Sequence, residues 1–135
     1  PIVGQNWGAN KKGRVLQAVR YCYLMCCVWS AFILTLLYFL AEPISQILSS
    51  DAAVAKESSS YLGIATAGLW GYGIVIVSAA AFNALGRPLC SLAYHLFRTV
   101  LLYVPLSVIA GMYFDIKAVY YAIAAANVLS GLVVG

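Results

Sequence analysis

Charged residues are what this sequence has least of. Only 9% of its 135 residues are Asp, Glu, Lys or Arg, and 64% are hydrophobic; soluble globular domains carry about 25% charged residues. Tyr21 to Ala41 and Ser58 to Gly86 contain no Asp, Glu, Lys, Arg or His at all. Leu89 to Tyr113 is interrupted only by His95 and Arg98, and Ala118 to Gly135 not at all. A water-soluble domain is excluded, because its helices would interleave polar residues on a solvent face, whereas Tyr61 to Leu85 is apolar or small all round. Each run is long enough to cross a bilayer core, which takes about 20 helical residues. The expected fold is an all-α membrane protein, with the end of one helix at 1–9 and spans at approximately 15–41, 58–85, 89–113 and 118–135.

The missing acids exclude chemistry as well as solubility. All four carboxylates, Glu42, Asp51, Glu57 and Asp115, lie between the spans. The single His, His95, therefore has no acidic partner within a span, and neither a Ser/His/Asp arrangement nor a metal site can be assembled there. No enzymatic activity, metal or cofactor is expected. Cys22, Cys26, Cys27 and Cys90 give none of the spacings of zinc or thiol-exchange motifs and read as small apolar residues. Cys22 and Cys26, one helical turn apart, cannot be bridged without distorting the helix. No catalytic domain, long loop or low-complexity linker is expected within these 135 residues. The sequence shows no initiator Met and no basic n-region before a short apolar stretch, so no signal peptide is expected within it. It reads as a piece of a larger membrane protein, cut at both ends.

The basic excess that remains is about orientation rather than nucleic acid. Lys11, Lys12, Arg14 and Arg20 precede the first full span and Arg87 lies between the second and third, while the other connections carry only Lys56 and Lys117. The positive-inside bias places the Asn10 to Arg20 segment and the Arg87 turn in the cytoplasm and the 42–57 and 114–117 connections on the opposite side. The basic segment also suits anionic lipid headgroups.

Local signals punctuate the spans. Gly8 suits the left-handed helix cap, and Asn10 can cap the helix that follows. Glu42-Pro43 is expected to stop that helix near Ala41, leaving a short interfacial helix through Leu48. Asp51 is an N-cap for the next helix, Gly86-Arg87-Pro88 is a tight helix-to-helix turn, and Pro105 should kink the third span. Small residues recur every four positions at Gly63, Ala67 and Gly71, and at Ala118, Ala122, Ala126 and Ser130. Such stripes let helices approach closely in lipid.

Six residues are candidates for substrate contact or gating: Gln5, Asn6, Trp70, Tyr72, Asn83 and Arg98. Gln5 and Asn6 sit together at a helix end on the basic side, and Asn83, like Asn127, is an amide available for interhelical bonding. Trp70 and Tyr72 lie deep enough in their span to line a pocket for organic cations, whereas Tyr21, Tyr23, Tyr113, Tyr120 and Tyr121 sit near span ends as interface anchors. Arg98 lies about 15 Å along its helix from Pro88, where a lipid-facing charge costs a few kcal/mol or more. Two roles are open to it: a structural or snorkelling one, or a direct part in handling substrate or ion.

Taken in order, these pieces resemble the multidrug and toxic compound extrusion (MATE) transporters. The matching residues are Pro1-Ile-Val-Gly-Gln-Asn-Trp-Gly-Ala before the basic segment, Glu42-Pro43-Ile44 with Ile47-Leu48 and Asp51, Tyr61-Leu62, Phe82-Asn83-Ala84-Leu85-Gly86-Arg87-Pro88, and Arg98 with Val104-Pro105-Leu106. The resemblance covers essentially the whole chain and places it in the second of two six-helix lobes. It implies antiport of drugs or organic cations against Na⁺ or H⁺ by alternating access, in a bacterial inner membrane, with the remainder of the transporter and membrane lipids as partners. Many members carry a cation-coupling acid in the helix matching Tyr61 to Leu85, where this chain has Gly71-Tyr72-Gly73 and other apolar or small residues, so no cation ligand is assigned. Two other readings compete: a lipid-linked oligosaccharide flippase of the same broad superfamily, and a membrane scaffold whose helices only pack.

Overall fold

A computed structural model describes residues 1–135. It is helical throughout: α1 (Ile2–Gly8), α2 (Lys12–Leu48), α3 (Ala52–Thr66), α4 (Leu69–Ala84), α5 (Pro88–Leu96), a π-helical segment (Phe97–Tyr103), α6 (Val104–Tyr113) and α7 (Ile116–Val134). Three continuous helices are long and apolar enough to cross a bilayer: Lys12–Leu48, Pro88–Tyr113 and Ile116–Val134; the pair Ala52–Thr66 and Leu69–Ala84 passes the same test as one bent span. The protein is thus an all-α membrane protein. Large apolar side chains such as Met25, Trp29, Phe32 and Leu101 are exposed, as expected where lipid or neighbouring helices replace water.

The interior is built from small residues. Of the sixteen buried residues, the largest fully buried side chains are only Val75, Ser45 and Ser130. The closest approach lies between α4 and α7. A Cβ added to Gly68 would stand 2.8 Å from the Ala124 carbonyl oxygen, one added to Gly71 would collide with the Asn127 backbone, and one added to Gly131 would collide with the Gly71 backbone. Only glycine lets the two helices meet here. The contact row is Gly68 and Gly71 against Ala124, Asn127 and Gly131, which differs from the two four-residue stripes expected. Gly63 faces open space, because the break at Ala67–Gly68 turns α3 out of line with α4.

That break divides what the sequence presents as one span, with the two halves meeting at 52°. Two local causes act on it. Gly68 is pressed against Ala124, and the Thr66 hydroxyl bonds back to the Leu62 carbonyl, a pattern that bends helices. Elsewhere the expectation errs the other way. Pro43 does not stop α2, which continues to Leu48, and its two buried residues, Ala41 and Ser45, bracket the proline. α2 packs on α3, and the burial of Ala41 and Ser45 shows that the helix is covered on both sides of Pro43 in sequence.

The third span runs through Pro105 as one continuous helix, Pro88–Tyr113. The hydrogen-bonding slack is taken up on its N-terminal side, where Phe97–Tyr103 widens into a π-helix, and Pro105 opens the α-helical turns that follow. At the N-terminus the left-handed residue is Asn10, with φ 56°, rather than Gly8, which remains within α1. Asn10 therefore forms the turn instead of capping α2, whose N-cap is Lys11 with no side-chain bond. Gly86 has φ 72° and makes the expected tight turn. Asp51 caps α3, its carboxylate accepting from the Ala53 N–H at 2.8 Å.

Two of the tyrosines expected as interface anchors have partners inside the protein. Ser78 Oγ donates to the Ile74 carbonyl at 2.8 Å, so the 2.7 Å bond between Ser78 and Tyr23 has the Tyr23 hydroxyl as donor, joining α2 to α4. Tyr120 meets Tyr61 edge to face at 5.2 Å. Tyr21, Tyr113 and Tyr121 are exposed.

Two consequences can be checked on the full-length protein in detergent. Gly71→Ala or Gly131→Ala should destabilise it by about 1–3 kcal/mol, the usual cost of overpacking, while Gly63→Ala should leave its thermal transition unchanged; equal effects at the three positions would refute the contact. Asp51→Ala should cost about 1 kcal/mol of stability through the lost cap, with Asp51→Asn close to neutral.

Candidate functional site

Arg98 is the charge that the bilayer interior would least tolerate, and the fold turns it inward. The π segment carries it toward α4 and α7, where its Nε donates to Asn127 Oδ1 at 2.9 Å and its guanidinium carbon stands 4.0 Å from the centre of the Tyr72 ring. A second ring, Tyr103, lies 5.9 Å away. Arg98, Tyr72 and Tyr103 are half-buried and Asn127 is buried. A guanidinium over an aromatic face is stabilised by the ring quadrupole, more strongly when desolvated.

Each contact has a backbone cause. Asn127 lies in the row where α7 meets Gly71, so the glycine that sets the helix spacing sets the position of the amide as well. Tyr72 follows Gly71 directly. Positions 98 and 103 would point about 140° apart on an α-helix of 3.6 residues per turn; the wider i→i+5 turn brings them toward one side. π-Helical turns occur frequently at functional sites.

The hydrogen-bonding character of the cluster follows from chemistry. Arginine only donates, so Asn127 must turn its carbonyl oxygen to it and is left with the NH₂ end facing elsewhere. Arg98 makes one side-chain hydrogen bond, and its terminal nitrogens are neither paired within the chain nor sealed from their surroundings. What remains on offer is a set of donors around a positive charge, with no carboxylate on α4, α7 or the third span to neutralise it.

The other candidates are not part of this cluster. Trp70, two residues from Tyr72, faces a different side of α4 and lines a cavity of about 330 Å³ with Cys27, Ser30, Ala31, Leu34, Thr66 and Ala67, directly over the break between α3 and α4. Gln5 is exposed; Asn6 is half-buried, donates to its own Ile2 carbonyl at 2.9 Å and borders a cavity of about 560 Å³ with Arg14, Gln17 and Tyr21. Asn83 is exposed at the end of α4, where Gly4 of α1 packs on Ala84. That end is twelve residues from Tyr72, about 18 Å along the helix, so Gln5, Asn6 and Asn83 lie at the basic end, apart from the Arg98 cluster.

Sequence reasoning passed over three features. Tyr103 was hidden by α-helical periodicity, and Asn127 was visible only as one amide among several. Glu57 lies just outside the charge-free run; one of its carboxylate oxygens is buried without a partner, and its side chain borders a largely apolar cavity of about 540 Å³ with Tyr61 and Tyr120.

Comparison with known proteins agrees with the membrane architecture. The MatE family model matches residues 1–109. A protein of Shewanella oneidensis named FAD transporter is 34% identical over 133 residues, covering 98% of this chain and 29% of the relative. The chain thus spans less than a third of the length of that curated relative. No solved structure matches. The family and the relative point to transport rather than catalysis, and the chain belongs to the MATE (MatE) family of membrane proteins.

Proposed function

We propose that this chain is part of the second six-helix lobe of a secondary active exporter, which moves amphipathic aromatic compounds out of the cell as Na⁺ or H⁺ enters, by alternating access. The observation that carries the reading is the broken span. Gly68 lies about 15 Å beyond Ser58, where the charge-free run begins, and irregular backbone at membrane depth is tolerated only where it is buried in protein or lines a cavity. Here the break lies beside the cavity of Trp70, Ser30 and Thr66. Discontinuous helices are the usual walls of transporter substrate sites. A scaffold that only packs has no use for one.

Drugs and organic cations are one substrate class for an uncharged cavity with a single aromatic wall, Trp70. The relative named FAD transporter supports a second class, flavin nucleotides, which are aromatic and negatively charged. The family match favours either over a lipid-linked oligosaccharide. The distribution of Lys11, Lys12, Arg14, Arg20 and Arg87 supports an orientation with the Asn10 to Arg20 segment in the cytoplasm.

Cells expressing the full-length protein should retain less of a fluorescent aromatic probe, ethidium or a flavin, than cells without it. Collapsing the Na⁺ and H⁺ gradients should abolish the difference. Equal retention before and after collapse would refute secondary antiport.

A further inference from the structure

The transport reading leaves the charge of the substrate open, and the cluster around Arg98 bears on it. We propose that Arg98, Asn127 and Tyr72 form a subsite for the anionic group, phosphate or carboxylate, of an aromatic solute carried by the full transporter.

Three observations converge. Arg98 lies about 15 Å into its span, and the helices that surround it, its own span, α4 and α7, carry no acid, so its charge has no counterpart there. Charged groups at such depth are paired or mark a substrate path. Second, the free hydrogen-bonding groups are all donors: the Nε of Arg98 holds the Asn127 carbonyl, which leaves the terminal guanidinium nitrogens and the Asn127 amide NH₂ for an acceptor. Guanidinium terminal donors match the paired oxygens of a carboxylate or phosphate. Third, the Tyr72 ring face is already covered by Arg98 at 4.0 Å. It fixes the guanidinium from behind and is not free to attract an organic cation, which the positive charge would also repel. A cation site would need the opposite arrangement, an open ring and a carboxylate.

This inference rests on the transport reading, and the test separates the two. The full-length transporter is reconstituted in vesicles under an imposed Na⁺ or H⁺ gradient, with three probes: FAD, which is anionic; riboflavin, which has the same ring system without the phosphates; and ethidium, a cation. The wild type should move FAD with a lower KM than riboflavin. Arg98→Gln should raise the KM for FAD at least tenfold while leaving riboflavin transport within about twofold, and Arg98→Lys should recover part of the loss. The unchanged riboflavin rate shows that the variant is folded.

Equal loss of both flavins in Arg98→Gln would make Arg98 structural and overturn the subsite. Movement of ethidium with indifference to FAD and to Arg98→Gln would overturn the subsite and leave antiport standing. Gradient-independent behaviour of all three probes would overturn antiport and the subsite together. A lipid phosphate offers the same chemistry; if added phosphatidylglycerol raises the wild-type KM for FAD but not that of Arg98→Gln, the site takes headgroups instead and the solute assignment fails.

Discussion

The close approach of α4 and α7 at Gly71 and Gly131 is the constraint on which the rest of this structure depends. In a bilayer, apolar side chains gain nothing by leaving lipid for protein, so helices associate through packing and polar contacts. Packing is best where backbones come nearest, and here they come near enough that no Cβ fits between them. The same contact presses Gly68 on Ala124, where the second span bends, and holds Asn127 where α7 can meet Arg98. A structural contact and a candidate binding site therefore share one residue, Asn127, whose backbone packs on Gly71 and whose side chain bonds the arginine.

The third span meets this arrangement by changing its own winding. A single charged residue in an otherwise apolar helix must find an inward direction, and the π segment supplies one that places Arg98 and Tyr103 on a common side. Proline at position 105 follows directly. Its missing N–H releases a carbonyl upstream, in the stretch where the wider turn occurs.

The membrane character was fully legible in the sequence, because the gaps in charge are long and their boundaries sharp. Asp51 and Gly86 were legible for a related reason: a cap and a left-handed turn are decided by residues next to one another. Pro43, Gly8 and Asn10 were misread because local propensity at these positions yields to packing and to the detailed turn. The break at Ala67–Gly68 carries only a weak local mark, the Thr66 hydroxyl bonded to Leu62, since the contact beside it, Gly68 on the Ala124 backbone, involves another helix. The cluster itself was half visible. Arg98 and Tyr72 stand out by type and depth, but Asn127 is 29 residues from Arg98 in sequence, and Tyr103 requires a winding that α-helical periodicity does not anticipate.

The central claim, that the glycine contact positions the donors around Arg98, is tested most directly by a double-mutant cycle in the full-length protein. Thermal stability in detergent would be measured for Gly71→Ala, Arg98→Gln and the pair. If Gly71→Ala already pushes Asn127 away from Arg98, the double variant should be less destabilised than the sum of the two singles by at least 0.5 kcal/mol, the lower end of interaction energies between coupled residues. Strict additivity would show that the two sites are independent and contradict the account.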